Sequence, residues 1–269
     1  DIENPQMPDR RQWAANLAYT QWTKDEIASG EAWVHIRRGA PIQVWRASTE
    51  RAFKITTRID EITKIGDSQL QVVLPAPKSV KIELTGRCNY RCGFCALRTR
   101  EKQPVQDMDI VLFKRIVTEM REAGVQEIGV FYLGESFMNP RLLIDAVKFA
   151  KQELKFPYVF LTTNGSLAVP EFVEECFEAK LDSLKFSINA SDDEQFRSVM
   201  GVKSGLYRDA FTNLKAARAV RDAKKYSCGL YASSIKYDGE QQTKMQALLS
   251  RHVLPYVDGP VFGTALTLA

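Results

Sequence analysis

A regular alternation of apolar, strand-like segments and amphipathic helical segments, which begins at residue 79, constrains the fold of this chain most. Strands are predicted over residues 80–84, 128–133, 158–162, 184–188, 227–235 and 253–257. Helices are predicted over residues 108–123, 142–154, 170–179, 194–221 and 240–250, with a break near 201–205. Repeated strand–helix units favour a parallel sheet with right-handed crossovers. About six units fit, whereas a closed barrel of this kind needs about eight. We therefore predict an α/β fold, an open and partial (β/α)6 barrel.

The first 75 residues lack this regular alternation and are predicted to form a small α+β region of unknown role. The segments 32–36 and 42–45, joined across a turn that contains Gly39 and Pro41, predict a β-hairpin. Further helices are expected over 10–27 and 51–62, and a strand over 70–74. The Pro75-Ala76-Pro77 sequence then interrupts the pattern. We expect two domains, residues 1–75 and residues 76–269.

Charge and hydropathy exclude several classes of protein. The 37 basic and 33 acidic residues give a net charge of +4, an excess too small to predict nucleic-acid binding. No run of about 18 apolar residues predicts a membrane span, and the first residues lack the pattern of a signal peptide. The sequence also starts without methionine, from which we expect a chain that is trimmed at its front.

Three of the five cysteines lie within eight residues, in the segment from Thr85 to Cys95. Their spacing is C-x3-C-x2-C, on Cys88, Cys92 and Cys95, whereas the other two cysteines stand alone and are expected in the core. An odd count with one tight cluster is not typical of a secreted disulfide framework. It predicts a reduced, cytoplasmic protein with a metal site.

The position and number of these cysteines indicate the kind of metal site. They follow the first strand of the alternating region, and parallel folds carry their chemistry at the carboxyl ends of their strands. Thiolates suit iron–sulfur clusters and zinc. A structural zinc site takes four ligands, but both histidines, His35 and His252, are distant in sequence. Three cysteines on a four-iron cluster leave one iron open to a small molecule. Two alternatives stay open: a zinc site completed by a distant residue, and a non-catalytic iron–sulfur or zinc-binding module.

The segment from Cys88 to Cys95 resembles the C-x3-C-x-aromatic-C signature of the radical S-adenosylmethionine (radical SAM) superfamily, with Phe94 as the aromatic residue. The resemblance covers about residues 79 to 260 and implies a [4Fe–4S] cluster on Cys88, Cys92 and Cys95. It implies an enzyme that cleaves S-adenosylmethionine reductively to a 5′-deoxyadenosyl radical. The radical would abstract hydrogen from a small-molecule or peptide substrate in biosynthesis, and a reductase such as flavodoxin or ferredoxin would supply the electron.

The resemblance also implies residues that bind S-adenosylmethionine. The backbone of Phe94 would contact the adenine, and Gly134 with Glu135 would stand for the family's Gly-Gly-Glu motif, although Leu133 replaces its first glycine. Glu135 would accept from the ammonium group of the ligand. The alternative is a turn glycine beside a solvated glutamate. No catalytic acid, base or hydrogen donor is assigned.

Later strands contribute further implied ligands of S-adenosylmethionine. Thr163 and Asn164 resemble the family's T-N-G turn, although Asn164-Gly165 is also a common tight turn. Ser187 and Asn189 resemble residues that reach the ribose and carboxylate, and could equally cap the next helix. Tyr231 is a weaker candidate for contact with adenine or substrate.

The order of these features is similar to the branch of the superfamily that carries a SPASM or twitch extension after the barrel. That extension is rich in cysteines, whereas no cysteine follows Cys228 here. We expect that the extension, together with any auxiliary iron–sulfur cluster, is missing from this chain.

Overall fold

The computed structural model describes residues 32–35, 43–46, 76–96, 101–102, 104, 106–203, 205–259 and 261–264. The chain divides into two compact units, Asp1–Glu61 with Asp258–Pro260 and Ile62–Val257 with Val261–Ala269. In the first unit, strands β1 (Ala32–His35) and β2 (Gln43–Arg46) pair antiparallel, which confirms the hairpin. The expected helices at 10–27 and 51–62, the strand at 70–74 and the boundary at residue 75 lie outside the described residues.

The second unit is built on a six-stranded sheet whose strands follow one another in chain order. All neighbouring strands pair in parallel, and the described parts of the two edge strands do not pair with each other. This confirms the partial (β/α)6 barrel. The strands are β3 (Ser79–Lys81), β4 (Glu127–Gly129), β5 (Tyr158–Thr163), β6 (Ser183–Ser187), β7 (Gly229–Ile235) and β8 (Val261–Thr264).

Helices connect successive strands. They are α1 (Ile110–Glu122), α2 (Pro140–Lys148), α3 (Pro170–Glu178), α4 (Asp193–Met200), α5 (Gly205–Lys224) and α6 (Gly239–His252). A π-helical turn, Phe149–Glu153, continues α2, and 3-10 turns occupy Ser136–Met138 and Leu254–Tyr256. None of the described helices is long and apolar enough to cross a membrane.

Two sequence-based assignments need correction. The strand expected at 253–257 is wrong, because Leu254–Tyr256 forms a 3-10 turn and the last strand lies at Val261–Thr264 instead. Pro255 has no N–H to donate to a ladder, which disfavours a strand there. The strand expected to reach Leu133 ends at Gly129. The backbone N–H groups of Leu133 and Gly134 bond to the Glu83 carboxylate instead of a neighbouring strand.

The break predicted between α4 and α5 is confirmed, and both ends of α4 have a local cause. The Asp192 carboxylate caps the first turn by accepting from the Gln195 N–H over 2.8 Å. At the other end, Gly201 adopts a left-handed conformation with φ of 64°, which glycine adopts at little cost.

The two faces of the sheet differ because successive side chains of a strand alternate. On the outer face, Leu184 and Phe186 of β6 pack with Leu214 of α5 in the main core. That core also buries Cys176 and Cys228, as expected of lone cysteines. The inner face carries polar and aromatic residues at the alternate positions of the strands. Because the strands are parallel, their carboxyl ends all lie at one edge of the sheet.

Candidate metal and cofactor site

The three clustered cysteines lie in the loop that follows β3, at the carboxyl edge of the sheet. Cys88, Cys92 and Cys95 are half-buried, and all carry free thiols. The Cys95 N–H donates to the Cys92 carbonyl oxygen over 3.0 Å and closes a tight turn. The predicted position of the cysteines after the first barrel strand is therefore confirmed.

The end of α4 fixes this cysteine loop. The Arg91 N–H donates to the Met200 carbonyl oxygen over 2.9 Å, and the Gly93 N–H donates to that of Val199 over 2.8 Å. The Cys92 Sγ atom also lies 3.4 Å from the Met200 Sδ atom. Since these contacts lie on both sides of Cys92, the loop is anchored close to that thiol.

An apolar cluster supports the same loop. Its buried members are Tyr90, Ala190, Phe196 and Met200, and Cys88, Cys92 and Phe94 pack against it. The rings of Tyr90 and Phe196 meet edge to face, with centroids 5.3 Å apart. The cysteines thus lie on a hydrophobic support that limits the access of water to their sulfur atoms.

Burial makes two of the thiols weak acids. It raises the pKa of Cys88 to about 11 and that of Cys92 to about 12, and the neighbouring thiols Cys88 and Cys95 add to the shift of Cys92. The backbone N–H of Tyr90 donates to the Cys88 Sγ atom over 3.4 Å. A bound metal deprotonates such thiols, because its charge is the largest in the site.

The number and chemistry of the ligands distinguish between a zinc site and an iron–sulfur cluster. Structural zinc takes four ligands, whereas this loop supplies three thiols. Within the described ranges, no group of three or more His, Cys, Asp or Glu side chains is arranged to hold a metal ion. An iron–sulfur cluster is held by cysteine thiolates, so three thiols suit a cluster better than a closed zinc site.

Gly134 follows β4 and lies directly against the segment that precedes the cysteines. A Cβ atom on Gly134 would stand 1.9 Å from the Thr85 carbonyl oxygen, so no other residue fits. The Glu83 Oε1 atom accepts from the N–H groups of Leu133 at 2.9 Å and Gly134 at 2.7 Å. Local sequence patterns did not indicate this role of Glu83, since an acidic residue just after a strand is usually solvated.

The Glu135 carboxylate is enclosed by donors and is 2% exposed. Its Oε1 atom accepts from the Phe137 N–H at 3.1 Å and the Thr163 hydroxyl at 2.9 Å, and Oε2 accepts from the Asn164 N–H at 2.7 Å. Burial raises the pKa of Glu135, and the three donors partly offset this effect. The alternative of a solvated glutamate is therefore wrong, whereas contact with an ammonium group stays a prediction.

Asn164 links the turn after β5 to the cysteine loop. Its Nδ2 atom donates to the Asn89 Oδ1 atom over 2.8 Å and lies 4.0 Å from the Cys88 Sγ atom. The Asn164 Oδ1 atom accepts from the Ser166 hydroxyl over 2.8 Å, and Asn89 donates to the same hydroxyl. Asn89 and Ser166 were not predicted, because their partners lie more than 70 residues away in sequence.

Asn213, a buried residue of α5, stabilises the turn that follows β5. The Asn213 Nδ2 atom donates to the carbonyl oxygens of Gly165 at 2.8 Å and Ser166 at 3.1 Å. Gly165 has φ of 83°, and a Cβ atom there would lie 2.8 Å from the Phe186 ring. The Asn164-Gly165 turn is thus a tight turn, and its side chains also face the cysteines.

A small pocket lies beside the cysteine loop, with a volume of about 10 Å³, close to the space of one water molecule. Polar side chains from the ends of two neighbouring strands line it, Asn164 after β5 and Ser187 with Asn189 at the end of β6, together with the rings of Tyr90 and Phe196. The Asn189 Oδ1 atom accepts from the Ile235 N–H over 3.1 Å, so this side chain does not cap α4. The structure therefore brings three of the predicted cofactor residues to one cavity.

Two predicted residues take other positions. Tyr231 is 5% exposed and does not line this pocket, because it lies two residues before Ser233 on the inner face of β7. Ser233 itself lies 3.5 Å from Ser187, Oγ to Oγ. The Phe94 side chain packs on the apolar cluster, and the role of its backbone stays a prediction.

Comparisons of sequence agree with this arrangement. The family model of the radical SAM superfamily matches residues 82–229. An S-adenosylmethionine-dependent nucleotide dehydratase of Oncorhynchus mykiss is 27% identical over 210 residues, which cover 76% of this chain and 55% of that protein. A GTP 3′,8-cyclase of Chlorobaculum tepidum is 31% identical over 120 residues, which cover 45% of this chain and 35% of that protein. The chain thus spans about half or less of these relatives.

A comparison of structures shows the same fold. Streptococcus suis SuiB, in a crystal structure with bound S-adenosylmethionine, superposes with a TM-score of 0.53 and 16% sequence identity. The superposition covers 81% of this chain and 57% of SuiB.

Proposed function

This chain belongs to the radical SAM superfamily, and from that premise we propose that Cys88, Cys92 and Cys95 hold a [4Fe–4S] cluster in an S-adenosylmethionine-cleaving enzyme. The observation that carries the proposal is the set of three free, half-buried thiols in one loop, next to a pocket lined by Asn164 and Ser187. When bound, the cluster and S-adenosylmethionine supply a 5′-deoxyadenosyl radical that takes a hydrogen atom from the substrate.

The surroundings of the thiols suit a cluster that must be reduced. The apolar cluster around Tyr90 and Met200 keeps water from Cys88 and Cys92. The N–H of Tyr90 donates to the Cys88 sulfur, and such donors stabilise negative charge on a thiolate. Hydrogen bonds to sulfur and low solvent exposure are the means by which a protein tunes the potential of a cluster.

Glu135 is the residue we propose to bind the amino group of S-adenosylmethionine. Its Oε1 atom accepts from two protein donors. Its Oε2 atom accepts from the Asn164 N–H alone and can accept one more hydrogen bond. The absence of a side chain at Gly134 lets this turn lie against the cysteine loop. A carboxylate so fixed would orient the ligand without reorganisation.

The residues that line the pocket beside the loop are proposed to contact the nucleoside part of S-adenosylmethionine. The pocket wall combines aromatic rings, which can stack on adenine, with hydroxyl and amide groups that can bind ribose and carboxylate oxygens. Ser187 and Asn189 are the polar residues we assign to these oxygens, and the backbone of Phe94 is assigned to the adenine. Thr163 acts through Glu135, to which it donates.

The substrate is proposed to be a small molecule or a peptide that enters at the carboxyl edge of the sheet. The names of the two relatives above point to nucleotides, and a second structure of SuiB holds its precursor peptide. A flavodoxin-like or ferredoxin-like reductase is proposed as the electron donor. Because the three thiols must stay reduced to bind iron, we propose a cytoplasmic enzyme.

Anaerobic reconstitution tests the proposal. The protein is loaded with iron and sulfide, S-adenosylmethionine and dithionite are added, and 5′-deoxyadenosine is quantified. We expect product from the wild type and from Cys176→Ala, whose cysteine lies buried in α3, and none from Cys88→Ala. Equal product from both variants would contradict the assignment. Purification with stoichiometric zinc and no iron would favour a zinc-binding module instead.

A further inference from the structure

The inner face of the sheet carries a layer of side chains one step below the proposed cofactor pocket. Strand register places Thr162, Lys185 and Tyr231 side by side on β5, β6 and β7. Lys185 precedes Ser187 by two residues, so its Cα lies about 7 Å further from the carboxyl edge. Its direct neighbours Leu184 and Phe186 belong to the outer core, and Lys185 therefore points to the inner face.

Lys185 has an incomplete set of bonding partners among the described residues. Within the described part of the chain, it forms no hydrogen bond or ion pair, and its side chain is partly buried. Burial lowers the pKa of Lys185, and the positive charge of Lys81 on β3 lowers it further. A partly buried ammonium group without a hydrogen-bond or ion-pair partner destabilises the free protein.

Two carboxylates from the first two strands and their loops have other partners. Glu83, two residues beyond the end of β3, accepts from the backbone N–H groups of Leu133 and Gly134. Glu127, at the start of β4, is buried and has interactions of its own. Within the described residues, neither carboxylate forms an ion pair with Lys185.

A hydroxyl without a partner lies beside the lysine. The Thr162 Oγ1 atom is buried and has no hydrogen-bond partner among the described residues. Thr162 pairs with Lys185 in the strand register, so both side chains leave neighbouring strands in the same direction. An unpaired buried hydroxyl costs free energy unless a ligand completes its bonding.

Aromatic rings form the floor of this layer. A Cβ atom on Gly129 would lie 2.9 Å from the Phe160 ring and 3.0 Å from that of Phe131, which meet edge to face. A Cβ atom on Gly229 would lie 2.7 Å from the Tyr231 ring. The two glycines therefore make room for rings that cover the inner face below Lys185.

We propose that Lys185, assisted by Lys81 and the Thr162 hydroxyl, binds an oxyanion of the substrate, a phosphate or a carboxylate group. This deepens the proposed function, on which it rests, because it names the substrate class that the inner face selects. A lysine ammonium and a hydroxyl are both donors that oxyanions accept from. The anion would neutralise the two lysines and hold the rest of the substrate toward the cofactor pocket.

Calorimetric titration of the anaerobically reconstituted protein with inorganic pyrophosphate, and separately with citrate, tests the inference. We expect one of the two to bind, with an affinity that falls as salt rises. Loss of one charge-assisted bond should weaken binding about tenfold in Lys185→Met, whereas Lys185→Arg keeps most of it. Lys78→Met, which removes the same charge from an exposed residue before β3, should bind like the wild type.

The two probes distinguish a phosphate from a carboxylate substrate, and a second measurement guards against misfolding. Without anion, Lys185→Met should unfold at a higher urea concentration than the wild type, because repulsion from Lys81 is removed. Binding of neither probe, or equal binding by wild type and Lys185→Met, would overturn the inference. Formation of 5′-deoxyadenosine is measured in parallel: its absence alone would refute the proposed function and leave the anion site standing.

Discussion

The Glu135 carboxylate accepts a hydrogen bond from the Asn164 backbone N–H over 2.7 Å, which joins the turns after β4 and β5. Asn164 in turn reaches Asn89, next to Cys88 in the loop after β3. Three successive strands therefore deliver their carboxyl-terminal turns to one connected polar network. Because each member fixes the next, a change at one turn is expected to disturb the others.

Replacement of Glu135 by glutamine should destabilise the protein and weaken binding of S-adenosylmethionine. Three donors face the two carboxylate oxygens, and an amide NH2 group cannot accept from any of them. At least one buried donor loses its partner, at a cost of about 1–3 kcal/mol. Urea unfolding measures the stability, and equilibrium dialysis measures the affinity, which we expect to fall about tenfold.

The exposed Glu153, replaced by glutamine, is the matched control and should change neither quantity. Normal affinity of Glu135→Gln, together with its reduced stability, would limit Glu135 to a structural role.

Gly134→Ala should fail to keep the cysteine loop in place. The added Cβ atom would meet the Thr85 carbonyl oxygen at 1.9 Å, and backbone atoms cannot yield as a side chain can. We expect a loss of about 1–3 kcal/mol or more in the free energy of unfolding. Iron content after reconstitution, measured with the urea midpoint, reports on the loop itself.

Gly205→Ala is the control for that substitution. A Cβ atom on Gly205 has no neighbour within 4 Å, and the residue begins α5, where alanine favours the helix. This variant should be as stable as the wild type or slightly more so. A similar loss in both variants would mean that the close approach at Gly134 does not explain the effect.

Local patterns predicted the framework of this site, whereas contacts between distant segments were not accessible to them. The cysteine spacing and the alternation of strands and helices are local, and both led to the correct loop and sheet. Glu83 acts 50 residues away, on the N–H of Leu133. Asn213 acts on Gly165, 48 residues before it, and neither carries a local pattern that indicates its partner.

The errors in the elements have a similar origin. Apolar runs such as 253–257 suit a strand or a buried turn equally, and the geometry of Pro255 decided between them. Tyr231 was predicted to contact the cofactor because it lies on the fifth strand of the barrel. In the structure it pairs with Lys185, one layer further from the carboxyl edge than Ser187. How far a side chain lies from the carboxyl edge depends on the register of its strand with the neighbouring strands, and the sequence alone does not reveal that register.

Asn213→Ala should loosen the turn at Asn164 while the cysteine loop keeps its backbone bonds to α4. Asn213 is 7% exposed, and its amide serves the carbonyl oxygens of Gly165 and Ser166. Its removal leaves both short of a donor, at a cost of about 1–3 kcal/mol. We expect lower stability and weaker binding of S-adenosylmethionine, but normal iron content. A loss of iron equal to that of Cys88→Ala would contradict the view that Asn213 supports the Asn164 turn while α4 independently supports the cysteine loop.

Stability of the metal-free protein should fall as the pH rises above about 9. The pKa of Cys88 is raised from 9.0 to about 11 and that of Cys92 to about 12, chiefly by burial. A group with a raised folded-state pKa contributes stability that is full below its unfolded pKa and is lost as the pH rises through the folded value. The unfolded chain loses its thiol protons first, so the urea midpoint should decline from pH 9 toward pH 11. Cys88→Ala combined with Cys92→Ala should make this decline shallower. An unchanged slope in the double variant would exclude these two thiols as its cause.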